Sequence, residues 1–455
     1  MVQGKPTIVG ALKCQRDTFL LSDFETTVVS CVEIKDNKKN KKKSGDTQPV
    51  ATHILELEDT ILFPEGGGQP SDTGYMLLNG DESQRINVLQ VLREGLHAKH
   101  YVDQAVEPGT KLKQFVDKEK RLDYMQQHTG QHLLSAILDN FFENADTLSW
   151  SMGGIPTAKK PTLEPSDYLN YLELPRRLTK EEIEKVTAMF NEIVSLNVMP
   201  ISVEERTADK KADETVDTKK VPDDYDFDAG ILRTICIGDL DKNACCGTHM
   251  TSTSQIQGIL ILDNQTSVRG TNSRLYFMCG RRIGDYAKRL AEITAKTKVE
   301  LSCSETVIVE KITTMKDQLQ KGRKKEQYFI GELAKFESQR LYDRLLKGEK
   351  LYSIKDDYGS LELLLAIQKE FQTLCETNQK DCKETLVLCG REKTLSMGSL
   401  LVISPEAEAI QTTVQGLQGI LKTLKGGGGK NGGKWQGKIM NFTDQEFSTL
   451  EEHFA

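Results

Sequence analysis

Two short motifs, far apart in the chain, constrain its folding more than any other feature. The first is His-Thr-Gly-Gln-His, with histidines at 128 and 132, and the second is Cys-Cys-Gly-Thr-His, which ends at His249. On a helix, residues four apart lie on one face, about 5–6 Å apart at Cβ, so His128 and His132 could bind the same ion. A second pair from another element would complete a tetrahedral zinc site. The fold is therefore expected to bring the two motifs together.

The residues alone leave the thiolate ligand open, because Cys245 has four-residue spacing to His249 and Cys246 has three-residue spacing. Taken alone, the two histidines of the first motif are equally consistent with ordinary polar residues that lie beside a core. Adding the Cys/His pair favours a metal, since metal preference depends on the full ligand set. A metalloprotease motif is excluded, because Thr129 stands where that class has Glu after the first histidine.

Cysteine usage and hydropathy indicate a cytoplasmic protein. Ten cysteines among 455 residues do not make a dense disulfide framework. The N-terminus lacks the apolar region of a signal peptide. No stretch approaches about 18 consecutive apolar residues, so we expect no membrane partner. The net charge of −7 argues against non-specific coating of nucleic acid but leaves local basic patches possible.

Hydrophobic patterning predicts an α+β protein of several domains. The boundaries that we infer are 1–110 for a β-barrel-like domain with a glycine-rich motif, 111–284 for a zinc-binding α+β domain, 285–347 for a helical or coiled-coil segment and 348–455 for a C-terminal α/β domain with a glycine-rich tail. β-Branched, roughly alternating stretches such as 24–34 and 53–63 predict the barrel strands. Thr179 and Glu182 form a capping-box pattern that predicts a helix start.

The helical segment carries an interrupted heptad pattern. Its apolar positions are Ile308, Ile312, Met315, Leu319, Phe329, Leu333 and Phe336. Gly322 and Glu326 break this row, which predicts an interrupted coiled coil or a helical hairpin. Two charged stretches have no such pattern. We interpret 35–44 as a disordered lysine-rich insertion, or alternatively a nucleic-acid tether, and 208–228 as a mobile loop.

The segment Pro64-Glu-Gly-Gly-Gly-Gln-Pro70 is a candidate ligand loop. Three consecutive glycines leave no side chains, so another group must approach the backbone closely or φ must be positive. The alternative is a flexible hairpin turn. The polar residues Glu65, Gln69 and Asp72 crowd this loop and favour a site.

Taken in order, these motifs resemble the editing half of alanyl-tRNA synthetases, and most closely the free-standing editing proteins of the AlaX type. The resemblance rests on Thr60 with Pro-Glu-Gly-Gly-Gly-Gln, the two metal motifs, Gly270-x3-Arg274 and the glycine-rich C-terminus, and it covers nearly the whole chain. It implies a barrel, an editing domain, a helical segment and a tRNA-binding domain. It also implies one zinc ion per chain, bound by His128, His132, Cys245 and His249.

The activity implied by the resemblance is hydrolysis of the ester that joins a wrong amino acid, chiefly serine, to tRNA(Ala). A pocket sized for alanine cannot strongly reject serine, which adds only a hydroxyl, so a second hydrolytic site is required. The chain begins at the barrel, with no aminoacylation domain before it. We therefore expect editing in trans, without a nucleotide cofactor.

The resemblance and the local chemistry together assign candidate roles. Thr60 matches the position whose hydroxyl could bind the serine Oγ, and Gln131 is a candidate to orient water. The candidate substrate-binding residues are Glu65, Gly66, Gly67, Gly68, Gln69 and Arg274. Four protein ligands would close the zinc site, whereas catalysis usually needs an open position. The alternative is therefore a non-catalytic tRNA-binding protein with a structural zinc.

A basic patch near the C-terminus is the candidate tRNA contact. Lys425, Lys430 and Lys434 lie in a glycine-rich stretch that has no acidic residue between 421 and 440, and Trp435 lies among them. Lysine and glycine with one aromatic residue are typical of contacts to an RNA backbone. The alternative is a flexible solvated loop.

Overall fold

The computed structural model describes residues 5–34, 50–156, 160–207 and 230–455. The chain forms two compact units, Met1–Lys296 and Thr297–Ala455. The lysine-rich run at 35–44 and the charged stretch at 208–228 fall outside the described residues, so our interpretations of both stay predictions. The four domain boundaries also stay predictions. No helix in the described part of the chain is both long and apolar enough to cross a membrane.

Six strands of the first unit close into a barrel, as the sequence predicts. They are β1 Ser22–Glu33, β2 His53–Leu57, β3 Gly74–Leu78, β4 Asp81–Glu94, β5 His97–Val102 and β6 Lys111–Val116, preceded by the short helix α1 Lys13–Arg16. Around the barrel the order is β1-β2-β5-β4-β3-β6. Apolar side chains such as Leu55, Val88 and Leu112 fill the interior.

The strand that we predicted at 53–63 ends at Leu57. The carboxylate of Asp59 accepts the backbone N–H groups of Thr60 and Lys13, and this turns the chain out of the ladder. Thr60 and the glycine-rich motif therefore lie in the connection between β2 and β3.

The rest of the first unit is α+β. Its elements are α2 Lys118–Phe141, β7 Ser149–Ser151, β8 Asn170–Leu174, α3 Lys180–Ser195, β9 Ile201–Thr207, β10 Ile231–Ile237, β11 Asp241–Ala244, β12 Ile259–Ser267, β13 Ser273–Cys279 and α4 Arg281–Leu301, which runs past the unit boundary. Two sheets form, β11-β10-β9 and β12-β13-β8-β7. The predicted capping box at Thr179 and Glu182 begins α3. Leu133, Phe190 and Phe277 anchor the core that α2 and α3 share with these strands.

The second unit is a sheet with helices on both faces. Its elements are α5 Ile308–Lys347, β14 Leu351–Lys355, α6 Leu361–Thr377, β15 Leu386–Glu392, β16 Met397–Ser404, α7 Ala407–Ile420, β17 Lys425–Gly428, β18 Gly433–Met440 and α8 Asp444–Phe454. The strand order is β14-β15-β16-β18-β17. One core lies between the sheet and α5 with α6, and another lies on the side of α7 and α8.

The glycine-rich segment is not an irregular tail, because it forms the antiparallel strands β17 and β18. Trp435 is buried on one face of this hairpin. A Cβ on Gly426 or Gly437 would lie 2.7 or 2.3 Å from the Trp435 ring. The glycines therefore make room for a core tryptophan, and our interpretation of Trp435 as an RNA contact is corrected.

Candidate metal centre and adjoining cavity

The two motifs meet, as predicted, in the first unit. His128, His132, Cys245 and His249 each direct one ligand atom to a common point, and the four atoms lie within 4.8 Å of one another. The Cys245 Sγ is 3.5 Å from the His128 Nε2 and 3.4 Å from the His249 Nε2. The histidines come from one face of α2, and the other pair from the turn after β11. This group could hold one metal ion.

The outward-facing ring nitrogens of two histidines are held by neighbouring side chains. His128 donates from Nδ1 to the Oε1 of Gln69 over 2.9 Å. That oxygen also accepts the Thr248 backbone N–H, which identifies it as the amide oxygen. The His249 Nδ1 faces the Thr129 hydroxyl at 3.4 Å. The His128 ring thus presents Nε2 with its lone pair to the cluster, as metal-binding histidines with a fixed tautomer do, and the His249 ring directs its Nε2 to the same cluster.

Burial favours the uncharged forms of His128, His249 and Cys245 in the absence of an ion. Desolvation, with a smaller contribution from neighbouring histidines, lowers the pKa values of His128 and His249 well below their usual range. Desolvation also raises the pKa of Cys245 to about 12. The imidazoles are therefore ready to bind at neutral pH, whereas the thiol must release a proton when a cation binds.

The barrel holds the turn that carries Cys245. Gln15, beside the barrel, donates to the Cys246 carbonyl over 2.7 Å. The buried Arg233 of β10 donates to the carbonyl oxygens of Gly247 and Gln15. At position 247 only glycine fits, because a Cβ there would lie 2.3 Å from the His128 Cε1. The turn is thus fixed against both α2 and the barrel.

A cavity of about 490 Å³ opens beside the cluster. Its walls are the glycine-rich loop at 63–68, one face of α2, the segment 147–150 and the ends of β10 and β11. This volume lies in the range of small-molecule sites, roughly 300–1,000 Å³. Of the predicted substrate residues, Glu65 and Gly66 to Gly68 line it, and the candidate Gln131 does so as well.

Three predicted site residues lie elsewhere. Thr60 is buried in the barrel, where its hydroxyl contacts the His100 Nε2 at 2.9 Å and the Gln114 Oε1 at 3.2 Å. Gln69 is fully buried behind His128 instead of lining the cavity. Arg274 on β13 lies beside Glu173 of β8 and over the Tyr171 ring. Arg274 therefore makes a cross-strand ion pair with Glu173 instead of lining the cavity.

Sequence reasoning missed several cavity residues. Trp150 stacks on His128 with ring centroids 5.0 Å apart and contacts the backbone of Gly68, where a Cβ would clash with the indole. Arg233 interrupts an otherwise uncharged strand, Ile-Leu-Arg-Thr-Ile-Cys-Ile, which is a signal that could have been used. Gln15 left no such signal, because it acts through a backbone carbonyl distant in sequence.

A hydroxyl row on the cavity wall was missed too. The Gln131 Nε2 donates to the Ser135 Oγ over 2.9 Å, and that Oγ lies 2.7 Å from the Thr147 Oγ1. Either hydroxyl can donate to the other, because a serine hydroxyl has two acceptor lone pairs beside its one proton. All three residues line the cavity.

In the second unit, lysines gather on one face of the glycine-rich hairpin. Lys425 of β17 pairs directly with Lys438 of β18. Lys434 lies on the same exposed face of β18, and Lys430 is exposed in the turn. Like charges placed directly opposite destabilise a sheet. This lysine face, defined by Lys425, Lys434 and Lys438, is therefore suited to an anionic partner.

Comparisons with known proteins agree with this geometry. Residues 232–276 match the family described as the threonyl and alanyl tRNA synthetase second additional domain. The chain is 50% identical to the alanyl-tRNA editing protein alaX of Saccharomyces cerevisiae, over 99% of this chain and 97% of the relative. It is 30% identical to the alanyl-tRNA editing protein Aarsd1 of Mus musculus over 95% of each. An alanine–tRNA ligase of Metallosphaera sedula is 29% identical over 52% of this chain and 25% of the ligase.

Proposed function

Since this chain belongs to the family of alanyl-tRNA editing proteins, we propose that it is a deacylase that hydrolyses mischarged tRNA(Ala), chiefly seryl-tRNA(Ala), in the cytoplasm. The observation that carries the proposal is the four-donor cluster at the wall of a cavity that the glycine-rich loop also lines. The two donor pairs and the glycine backbone at 66–68 would then face the same ester bond of the substrate.

Zinc is the ion that we assign to the cluster. Metal–sulfur bonds of about 2.3 Å and metal–nitrogen bonds of about 2.0–2.1 Å, at a tetrahedral angle, separate sulfur and nitrogen by roughly 3.5 Å. The two Sγ···Nε2 distances of 3.5 and 3.4 Å fit this value. Three imidazoles and one thiolate are also a donor set that binds zinc in preference to magnesium or calcium.

The chain's own groups would carry out the positioning. Bound zinc supplies positive charge that can orient the substrate or polarise its carbonyl. Gly67 and Gly68 line the cavity with positive φ, and their amides could stabilise the oxyanion. Gln131 would hold the attacking water. Water adds to the carbonyl carbon, the ester bond to the terminal ribose breaks, and the ribose oxygen takes up a proton.

Recognition of serine is assigned to the hydroxyl row of Gln131, Ser135 and Thr147. The Thr147 hydroxyl would form a hydrogen bond with the Oγ of a serine substrate. Alanine has no polar side-chain atom with which to form that bond. Thr60, the candidate from the resemblance, would need to leave His100 and Gln114 to contact the substrate directly. Thr60 therefore remains a second candidate, and Thr147→Val and Thr60→Val distinguish the two. The variant that loses the preference for seryl- over alanyl-tRNA(Ala) identifies the recognising hydroxyl.

The lysine face of the second unit is proposed as the tRNA contact, with Lys430 beside it. Its charges are exposed and its cross-strand lysine pair lacks an acidic neighbour between 421 and 440. Phosphates would relieve that repulsion.

The test is a deacylation assay on seryl- and alanyl-tRNA(Ala). The purified protein should release serine much faster than alanine, and His128→Ala and chelation should each abolish this activity. His453→Ala, an exposed histidine of α8, is the matched control and should retain activity. Full activity after both His128→Ala and chelation would reject the zinc-centred mechanism.

One observation favours a second candidate function. Four protein donors would close the tetrahedron and leave no site for water, as in structural zinc centres. In that case the protein binds tRNA saturably without turnover, and chelation lowers its melting temperature. The same assay separates the two candidates, because only the deacylase releases amino acid.

A further inference from the structure

A second cavity lies in the first unit, between α2 and α4, and no step of the proposed hydrolysis uses it. Its volume is about 680 Å³, which is within the range of small-molecule sites, roughly 300–1,000 Å³. Its walls are the first turns of α2, the first turns of α4 and residues of the stretches 154–156 and 163–168. We call it the α2–α4 cavity, and its aromatic residues are Tyr124, Tyr168 and Tyr286.

One buried residue of the α2–α4 cavity has a hydroxyl without a partner. Tyr124 lines the cavity and is 7% exposed, and its hydroxyl forms no hydrogen bond with another described residue. Burial raises the pKa of Tyr124 to about 12, so the phenol keeps its proton at neutral pH. A buried tyrosine hydroxyl usually has a hydrogen-bond partner. Tyr124 therefore offers a donor and an acceptor to a ligand of this cavity.

The other two tyrosines supply aromatic faces. Tyr168 is 40% exposed, and Tyr286 is half-buried. Gly154, at a φ of +80°, lies so close that a Cβ there would be 3.0 Å from both the Tyr168 ring and the Arg282 guanidinium. Glycine at this position therefore lets the loop pack against both side chains. Aromatic residues in accessible positions of this kind stack with unpaired nucleobases.

The charges around the cavity leave Arg289 available for an anion. The acidic residues of the cavity are already paired, Asp123 with Arg282, and both Glu119 and Asp285 with Arg281. Arg289 of α4 lines the cavity, is exposed, and forms no ion pair within the described part of the chain. A guanidinium can donate two parallel hydrogen bonds to one phosphate. The cavity therefore combines aromatic faces, a free hydroxyl and a cation, which together suit a nucleotide.

Two elements connect the α2–α4 cavity to the metal centre. Tyr124 and His128 are one turn apart on α2, which is a rise of about 6 Å. The stretch 147–156 also contributes to both places, since Trp150 lines the cavity beside the metal cluster and Gly154 lines the α2–α4 cavity. An RNA strand whose terminal ribose lies at the metal centre would therefore bring a preceding nucleotide to the α2–α4 cavity.

Resting on the proposed function, which makes tRNA the substrate, we propose that the α2–α4 cavity binds an unpaired nucleotide of the tRNA 3′ end, upstream of the esterified terminal adenosine. The base stacks on the rings of Tyr168 and Tyr286, and its edge forms a hydrogen bond with the Tyr124 hydroxyl. Arg289 binds the adjoining phosphate. Stacking of this kind tolerates every base, so the cavity adds affinity for RNA and does not select the amino acid.

Deacylation kinetics on two esters test the stacking contact. One ester is seryl-tRNA(Ala), and the other is 3′-O-seryl-adenosine, which lacks every upstream nucleotide. Tyr286→Ala should raise the KM for seryl-tRNA(Ala) roughly tenfold or more, because it removes a ring on which a base stacks. Its kcat/KM for seryl-adenosine should equal that of the wild type. Tyr276→Ala is the matched control, because Tyr276 is a half-buried tyrosine of β13 that lines neither cavity.

Binding of uncharged tRNA(Ala), measured by fluorescence anisotropy at several salt concentrations, tests the phosphate contact. Arg289→Ala should weaken binding, and the slope of log affinity against log salt concentration should become shallower by about one. Lys288→Ala is the control, because Lys288 is the exposed neighbour of Arg289 on α4 and does not line the cavity. The control should keep the wild-type slope.

Three results would overturn the nucleotide assignment. The first is an equal loss on both esters in Tyr286→Ala, which would show that Tyr286 supports the metal centre. The second is wild-type affinity for tRNA(Ala) in both Tyr286→Ala and Arg289→Ala. The third is binding of free AMP or CMP that is lost in Tyr286→Ala while tRNA affinity is unchanged, which would show a site for a mononucleotide.

Failure of the proposed function gives a different result. In that case the wild type releases serine from neither ester. The binding measurements on uncharged tRNA(Ala) need no hydrolysis, so they still decide whether the α2–α4 cavity holds part of the RNA.

Discussion

At the residue scale, the candidate metal centre depends on side chains outside its four donors. Gln69 is the clearest case, because it accepts from the His128 ring and donates to the Thr248 hydroxyl over 2.8 Å. One amide therefore links His128 of the first motif to Thr248 of the second, the residue before His249. Its position in the glycine-rich motif suggested substrate contact, but the structure places it behind a metal ligand.

Replacing Gln69 should weaken the metal centre without removing a ligand. Gln69→Ala frees the His128 ring to rotate and to change tautomer, and loss of such outer partners typically costs 10–100-fold in metal affinity, roughly. Competition against a chromophoric chelator measures the change. Gln104→Ala, which removes an exposed amide bonded to the Arg85 carbonyl, should bind metal normally. Equal affinities for the two variants would show that the Gln69 contact does not matter.

His100 should make the protein sensitive to mild acid. Burial lowers the pKa of His100 to about 4, while an unfolded histidine titrates near pH 6.5. Between these pH values the unfolded state binds a proton that the folded state refuses, so stability falls as pH falls. The loss is complete near pH 4 and amounts to roughly 3 kcal/mol. Urea unfolding at pH 7 and pH 4.5 should show a smaller loss for His100→Gln, and equal losses would contradict this assignment.

These cases show which residues were accessible from sequence. The three clustered histidines were, because their spacing places each pair on a helix or in a turn, and the resemblance chose Cys245 over Cys246 as the fourth donor. Thr60 was misplaced because strand propensity ignores Asp59, whose carboxylate ends the ladder. Arg233 and Gln15 act on carbonyl oxygens that become neighbours only after folding.

At the element scale, the glycine-rich hairpin combines two requirements in one composition. On its buried face, glycines at 426 and 437 accommodate the Trp435 ring. On the opposite face, Lys425 and Lys438 stand side by side across the strands. The lysine charge pattern was evident from sequence, but composition alone suggested a loop because flexible segments are also rich in glycine.

Removing one lysine of the pair should have opposite effects on stability and binding. Lys438→Ala relieves the repulsion and should stabilise the second unit by a few tenths of a kcal/mol, roughly. It should also weaken tRNA binding. The slope of log affinity against log salt concentration should become shallower by about one. Melting curves and filter binding at several salt concentrations measure both. Lys380→Ala is the control. Lys380 follows the C-terminal end of α6, a helix about 25 Å long, and Leu361 at the other end of that helix lines the same shallow pocket as Lys425 and Lys438. If Lys438→Ala binds tRNA as tightly as the wild type does, the lysine face is not the tRNA contact.

At the scale of the whole molecule, sequence predicted the barrel, the α+β layers and a helical segment, but the predicted interruption at Gly322 and Glu326 was wrong, because α5 runs unbroken from Ile308 to Lys347. It could not predict that the barrel would hold the metal turn, since hydrogen bonds such as Gln15 to Cys246 join residues 231 positions apart. Local pattern carries no information about such contacts. The same separation explains why the site was recognised from its ligands and not from its supports.

The separation of the two motifs along the chain determines how long the first is present without the second during synthesis. His128 and Cys245 are 117 residues apart. At roughly 5–20 residues per second, about 6–23 s pass between their synthesis on the ribosome. During that interval the barrel and the two histidines exist without their partners, so any ion bound there is held by an incomplete set. The complete donor set forms only when the second motif has emerged and folded onto the first.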